Sequence, residues 1–468
     1  MFLLLILNIL LVSCQDNDKL IFTMIHFRHG ARSPVLSEGT DTFGEKWENP
    51  GELTGIGERM HYVLGYRNRM RYIIKKKLLS EKFNPDELVV ITTNFNRTIM
   101  SVSSHLQGLY PQNKNLGYIL TENQLKNSNP PVNVSSTEIQ EEITKLQNNA
   151  LPHNMTLIPF EIREGFLVMY SMSGCTGAMK EFNSSETKNL ETASKEFNEK
   201  YAEKVDKITG EIPHNYSSFE IYSVCDDFIA GYTEGKNMDS FKKTGVDFDE
   251  FFGFCKRVTG YLFSEYLFQG NNTRLLEGSK TMELLINYTK KSIDADINSK
   301  KSPKLLILSA HDVTITQQEL FILQSLGLNI EDYYRFPTYA SQIAFEISRK
   351  DDNNKNRKYS DYFVNYYFND ELILNMTADE FINKVEPNIF TEEKINQFCG
   401  YNDSNKTNNS QSYFSIKRRK TYKTPFIVMT CLFGVSLLAI IMLLALLCRK
   451  NANYIPQDAS FNSTNIKN

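Results

Sequence analysis

This chain lacks an excess of charge of either sign: 52 Lys and Arg against 55 Asp and Glu leave a formal net charge of −3. Nucleic acid binding needs a cationic surface that such a balance does not supply, so no nucleic acid partner is expected. The seven cysteines form no Cys-x-x-Cys pair and no Cys/His cluster, which removes the usual zinc frameworks. Neither a metal nor a cofactor is expected. No internal repeat appears.

Long apolar runs occur only at the two ends. Met1 to Cys14 is apolar and of signal-peptide length, though it has no basic n-region. Pro425 to Cys448 carries no charge and is long enough to span a bilayer as a helix, with Arg449 and Lys450 as a stop-transfer pair. Together they predict a single-pass type I protein. Its parts are a signal at 1–14, a globular ectodomain at 15–401, a polar and basic stalk at 402–424, a transmembrane helix at 425–448 and a cytosolic tail at 449–468. Lys417, Arg418, Arg419, Lys420 and Lys423 place more positive charge on the outer flank than the positive-inside tendency favours. A large preceding domain translocates largely regardless of such charge, so the signal sets the orientation. The lysosomal or vacuolar membrane and the cell surface both stay open.

Asn133, Asn154, Asn183, Asn215, Asn271, Asn287 and Asn375 begin Asn-x-Ser/Thr acceptors, as do Asn402, Asn405 and Asn408 in the stalk. Four cysteines, Cys175, Cys225, Cys255 and Cys399, fall in the ectodomain, and an oxidising compartment permits two disulfides.

Strand-like runs at 21–25, 88–92, 305–309, 343–347 and 362–368 alternate with helical stretches. An α/β fold follows, with ligands bound beyond the carboxyl ends of the strands. A helix from about Thr54 to Leu79 carries Met60, Leu64 and Tyr72 toward the sheet and is expected to leave a basic face in water. Between about 126 and 239, Asn- and Ser-rich turns and Lys/Glu-rich helical pieces look like a separate helical cap.

The first strand runs into Arg28-His29-Gly30-Ala31-Arg32-Ser33-Pro34. Two cations beside His29 depress its pKa and keep the ring nucleophilic. Their guanidinium groups fork around the oxygens of a phosphate. Gly30 is expected to let the backbone approach a ligand, and Pro34 to end the turn. The segment resembles the R-H-G-x-R-x-P motif of the histidine acid phosphatases. Thr92 to Thr98 is similar to the segment where that family places a third phosphate-binding arginine, here Arg97. Ser309-Ala310-His311-Asp312 resembles its S-A-H-D element, and Leu53-Thr54 through Gly57 its helix start.

The resemblance implies a phosphoglycerate-mutase-like mixed sheet flanked by helices, with a smaller, mainly helical cap. It implies an acid phosphatase acting on small phosphomonoesters or phosphoproteins. His29 would be the nucleophile, and Arg28, Arg32, Arg97 and His311 would hold the phosphate. Asp312 would be the proton donor, a role that displacement of an alkoxide requires. Asn96 also begins a sequon, expected to stay bare because it adjoins this site. The family joins cap to C-terminal segment where Cys175 and Cys399 fall. Cys225 matches another family cysteine, but the usual partner position is Ser341, so Cys225 pairs with Cys255 or stays free. The same apparatus also serves mutases and lipid- or inositol-phosphate phosphatases, and a fold can persist in a non-catalytic surface protein. A homodimer stays open. His26, His61, His105, His153 and His214 are read as structural.

Overall fold

A computed structural model describes residues 18–401, apart from 36–38, 113–116, 164–168, 171–173, 184, 186, 353 and 355. The expected signal, stalk, span and tail lie outside the described residues. Among the described residues no helix is long and apolar enough to cross a membrane.

All five strand-like runs fall within a seven-stranded sheet of β1 (Asp18–Arg28), β2 (Leu88–Thr92), β3 (Glu161–Ile162), β4 (Leu305–Ala310), β5 (Gln342–Lys350), β6 (Tyr362–Phe368) and β7 (Glu371–Thr377). Their order is β3-β2-β4-β1-β5-β6-β7. The first four are mutually parallel, whereas β5, β6 and β7 pair antiparallel. Local chemistry explains the second half: Asn369, at φ 51°, turns β6 directly back into β7. Parallel neighbours instead need crossovers, and helices supply them. Within these crossovers lie α1 (Gly55–Asn68), α2 (Asn96–Leu109), α3 (Ser218–Thr233), α4 (Phe248–Tyr261) and α5 (Asn271–Ile297), while α6 (Asp312–Leu326) leads from β4 to the antiparallel β5.

Period-two alternation splits the apolar side chains between two layers. Phe22, Met24, Leu306 and Leu308 pack with Met282, Leu285 and Ile286 of α5 and Ile315 and Phe321 of α6. Ile25, Phe27, Leu305 and Ile307 point the other way, onto Val102, Leu106 and Leu109 of α2 and onto Tyr72 and Ile73.

The early helix departs from expectation. Its α-helical part ends at Asn68 and continues as a π-helix over Arg69–Lys75. The buried residues of α1 are Gly57, His61, Gly65 and Asn68, while Val63 and Tyr66 face solvent. Backbone proximity is the reason. A Cβ on Gly65 would sit 2.0 Å from the His105 carbonyl oxygen, and one on Gly108 2.0 Å from that of Tyr62. Two helices this close leave no room for large side chains between them. The basic face is not simply solvated either: Arg69 is buried and donates to the Leu109 carbonyl at the end of α2. Arg71 is bonded to Glu346 and Arg67 to Asp370.

A separate apolar cluster forms the helical cap. Its core runs from Leu190 and Phe197 through Phe228 to Phe251, Phe254 and Phe263, so the cap extends past residue 239 into α4 and beyond. Phe43, from the loop that follows Pro34, inserts into the same cluster. Disulfides join Cys175 to Cys399 and Cys225 to Cys255. The second links α3 to α4 within the cap.

Candidate active site

Three strand ends converge on one point. In the sheet register Arg28 lies opposite Ala310, and Thr92 opposite Ser309. One residue further on, the His29 amide donates to the Ala310 carbonyl at 2.9 Å and the Thr93 amide to that of Ser309 at 3.2 Å. His29, Thr93 and His311 are thereby set side by side at the carboxyl edge of the parallel strands. Arg97 arrives on the first turn of α2, and Asp312 opens α6. Arg28, His29, Arg32, Arg97 and His311 are all buried.

The His29 ring is held in one tautomer. Nδ1 lies 2.8 Å from the Gly30 carbonyl oxygen, which can only accept, so Nδ1 carries the proton and Nε2 keeps its lone pair. Burial, followed by the charges of Arg97, Arg28 and Arg32, pushes this histidine well below its ordinary pKa of 6.5. Both influences favour the neutral ring. The His311 ring stands edge-on to it, with centroids 5.5 Å apart.

Gly30 serves packing. A Cβ there would lie 2.4 Å from the Gly57 carbonyl oxygen, so the glycine lets the start of α1 press against the loop. His61 supports the same loop, its Nε2 3.0 Å from the Arg28 carbonyl.

Each arginine has a different anchor. Arg28 donates to the Pro337 carbonyl at 2.9 Å, pairs with Asp312 Oδ2 at 2.7 Å and stacks on Tyr339 with 4.4 Å to the ring centroid. Arg32 is bidentate to Asp226 of the cap helix α3, at 2.8 and 3.1 Å. Arg97 lies over Phe95, and its Nη2 is 3.3 Å from His311 Nδ1. All three keep a buried Nε–H with no hydrogen-bond partner among the described residues. Asp312 accepts from the Val313 amide at 2.8 Å as well as from Arg28.

Sequence reasoning missed Asp226, Tyr339 and the role of Thr93. Asp226 stands next to a singled-out cysteine, yet nothing local marks it as the partner of a residue 194 positions away. Beside Arg28 a cavity of about 140 Å³ opens between sheet and cap, lined by Met60, Ile229, Phe252, Lys256, Phe336 and Tyr339 among others. Of the remaining histidines, His26 is buried against Gln318 and Thr314 and is lowered to about 4 by that burial. His105 stacks on Phe27. His153 and His214 lie away from the site, His214 beside Asp206 and Glu211. The Asn96 amide donates to Glu52 Oε1 at 3.1 Å. Asn133, Asn183, Asn215, Asn271, Asn287 and Asn375 are exposed, and Asn154 is half-buried.

A mixed sheet whose strand ends gather a neutral histidine and three buried arginines is the framework of a phosphate-handling protein. The family model of the histidine phosphatase superfamily (branch 2) matches residues 19–369, and the chain belongs to that superfamily. Its relatives include acid phosphatases. It is 25% identical to the lysosomal acid phosphatase of Homo sapiens over 374 residues, which is 79% of this chain and 75% of that protein. Similarity to the lysosomal acid phosphatase of Xenopus laevis is 39% over 111 residues, 23% of this chain and 25% of that one. Human prostatic acid phosphatase is 37% identical over 95 residues, 20% of this chain and 24% of that protein. Among solved structures, the apo form of Hafnia alvei phytase aligns with a TM-score of 0.49 and 13% identity, over 81% of this chain and 98% of that chain.

Proposed function

We propose that this protein is an acid phosphatase that hydrolyses small phosphate monoesters through a covalent phosphohistidine at His29. The observation that carries the proposal is the set of three buried Nε–H donors, unpartnered among the described residues, on the arginines near a histidine whose Nδ1 carries the proton and leaves Nε2 its lone pair. Leaving buried donors unsatisfied costs on the order of 1–3 kcal/mol each, and more for charged groups. The three guanidinium groups also repel one another, Arg32 and Arg28 both acting on Arg97, and an anion held among them offsets that repulsion.

His29 Nε2 attacks phosphorus in line, and the ester P–O bond breaks. Asp312 gives its proton to the departing alcohol. The imidazolium formed on phosphorylation keeps its Nδ1 proton on the Gly30 carbonyl, which stabilises the positive ring. Arg28, Arg32, Arg97 and His311 neutralise the non-bridging oxygens, the electrostatic contribution that dominates phosphoryl transfer. Asp312, now a carboxylate, takes a proton from water. The resulting attack breaks the P–N bond and releases phosphate. Three guanidinium groups supply the charge that magnesium supplies in other phosphotransferases, so the reaction needs no metal.

The acid phosphatase relatives support a lysosomal or secreted setting. The uncharged run 425–448 and the leading apolar segment support a type I anchor with the catalytic domain outside the cytosol. Glycans on the exposed sequons belong to the same reading.

The test is hydrolysis of p-nitrophenyl phosphate and of an alkyl monoester by the purified ectodomain at mildly acidic pH. Vanadate and tartrate should inhibit, and EDTA should not. His29→Ala should abolish turnover and the acid-labile phosphoenzyme. Asp312→Ala should harm the alkyl ester far more than the aryl ester. Activity surviving in His29→Ala, or equal losses on both esters in Asp312→Ala, would refute the assigned roles.

A further inference from the structure

We propose that Thr93 is a positioning residue whose hydroxyl decides which nitrogen of His311 carries the proton, and so lets His311 present an N–H to the phosphoryl group. The inference rests on the phosphatase reading above.

Both ring nitrogens of His311 have a neighbour. Nδ1 is 3.3 Å from Arg97 Nη2, and Nε2 is 2.9 Å from Thr93 Oγ1. A guanidinium has donors and no acceptor, so toward Arg97 the Nδ1 atom must accept. Burial and the neighbouring arginines keep the ring neutral, with one proton only. That proton is then on Nε2 and is donated to Thr93. In this tautomer His311 has nothing to give a phosphate. Once an oxygen of the anion draws the Arg97 N–H away, the Nδ1 lone pair faces another lone pair.

The attraction returns only if the proton sits on Nδ1, and Nε2 then needs a donor. The Thr93 hydroxyl is the group at hydrogen-bond distance from Nε2, and a hydroxyl can donate or accept. Its second partner permits the reversal. Thr98 Oγ1 lies 2.9 Å from Thr93 Oγ1 and can itself donate to the Thr93 or Phe95 carbonyl, each at 2.9 Å. The chain Thr98–Thr93–His311 therefore has two self-consistent proton orders. No net proton is gained, since Nδ1 takes one from solvent and Nε2 releases one to it. Thr93 is itself buried, and its amide is tied to Ser309 on β4, so the hydroxyl has little freedom to drift. A carbonyl or an amide N–H in its place would serve only one tautomer.

Two variants separate positioning from packing. Thr93→Val keeps the shape and removes the hydroxyl, whereas Thr93→Ser keeps the hydroxyl. The readout is the nitrogen-15 NMR spectrum of histidine-labelled protein, titrated with inorganic phosphate, alongside steady-state kinetics. In the wild type, phosphate should move the His311 proton from Nε2 to Nδ1. T93V should not make that move and should lose about 10- to 100-fold in kcat/KM, the size of one lost transition-state hydrogen bond. T93S should stay within a few-fold and keep the switch. A T93S variant as damaged as T93V, or a wild-type His311 whose tautomer ignores phosphate, overturns the proposal. If T93V does not fold, the wild-type titration and T93S still decide it. Failure of the phosphatase reading looks different, because then the wild type hydrolyses no monoester at all.

Discussion

Asp226→Ala tests how far the cap is part of the proposed phosphate site. The carboxylate lies mid-helix in α3, takes Arg32 on both oxygens at 2.8 and 3.1 Å, and accepts the Val35 amide at 3.0 Å. The two side chains are only 4% and 7% exposed. Burial alone would raise the Asp226 carboxyl, but the charge and hydrogen bonds of Arg32 overcome it and hold the group below its ordinary 3.8. Removing one partner of such a buried pair typically costs about 3–5 kcal/mol, because the other charge is left behind. Asp227 is the natural control. It is bonded to the Thr42 amide and hydroxyl and not to Arg32, and losing hydrogen bonds to a buried carboxylate costs about 1.5–3 kcal/mol. Activity separates the two more sharply than stability. With Asp226 gone, Arg32 loses the clamp that aims it, and misplacing a substrate-holding group by about 1 Å can cost 10²-fold. Urea unfolding and kcat/KM on an aryl phosphate should therefore show Asp226→Ala losing both, and Asp227→Ala losing stability with kcat/KM within a few-fold. Wild-type kcat/KM in Asp226→Ala, or matching losses in the two variants, would refute a cap-held Arg32.

Glu319, buried in α6 and bonded to the Tyr366 hydroxyl at 2.8 Å, has its carboxyl raised by burial from 4.5 to about 8. The folded state thus holds a proton that the unfolded chain has lost. This contribution is complete below about pH 4.5 and disappears as pH rises through about 8, a swing of at most ~5 kcal/mol. Glu319→Gln should flatten the fall in urea stability between pH 5 and 8.5, and an unchanged slope would count against it. Gly30→Ala puts a Cβ against Gly57 and should cost about 1–3 kcal/mol or more together with most activity, which thermal unfolding and turnover would register. Replacing Cys225 and Cys255 by Ser opens a loop with a sequence separation of 30, worth about 3–4 kcal/mol. Activity at 25 °C should survive that change within a few-fold.

Whatever the sequence made legible about the site lies next to a strand end. Arg28, His29, Arg97, His311 and Asp312 each stand within a few residues of an apolar β-run, so chemistry and position could be read in one window. The central strands were readable for a similar reason, since they are continuous apolar segments, whereas the mixed character of the sheet came from the family resemblance. Short β3 was not readable, because two exposed residues carry no periodic pattern. Leu64 and Tyr72 pack on the core as expected, but α1 misled in part because Val63 and Tyr66 face water while its glycines face inward. Such an arrangement follows only from the neighbouring backbone of α2. Asp226 and Thr93 escaped for a different reason: their meaning lies wholly in partners distant along the chain.

The rewired cysteine shows what the tertiary structure adds. Ser341 stands where the resemblance leads one to expect a partner for Cys225, and the disulfide instead closes within the cap, onto Cys255. The neighbourhood of Cys225 therefore reaches the sheet side through non-covalent bonds: Asp226 to Arg32, Asp227 to Thr42, and Glu234 to Thr54 at the start of α1. These contacts end on the loop that carries Arg32 or on the helix packed behind Gly30. A covalent tie would hold cap and sheet together whatever the state of the arginine, whereas the ion pair makes the two inseparable. Reducing Cys225–Cys255 should then loosen the cap's own core and leave the aim of Arg32 intact, while Asp226→Ala should spoil that aim with every disulfide in place. Finding the two perturbations interchangeable in their effect on kcat/KM would show that the cap acts on the site as a body and not through this one carboxylate.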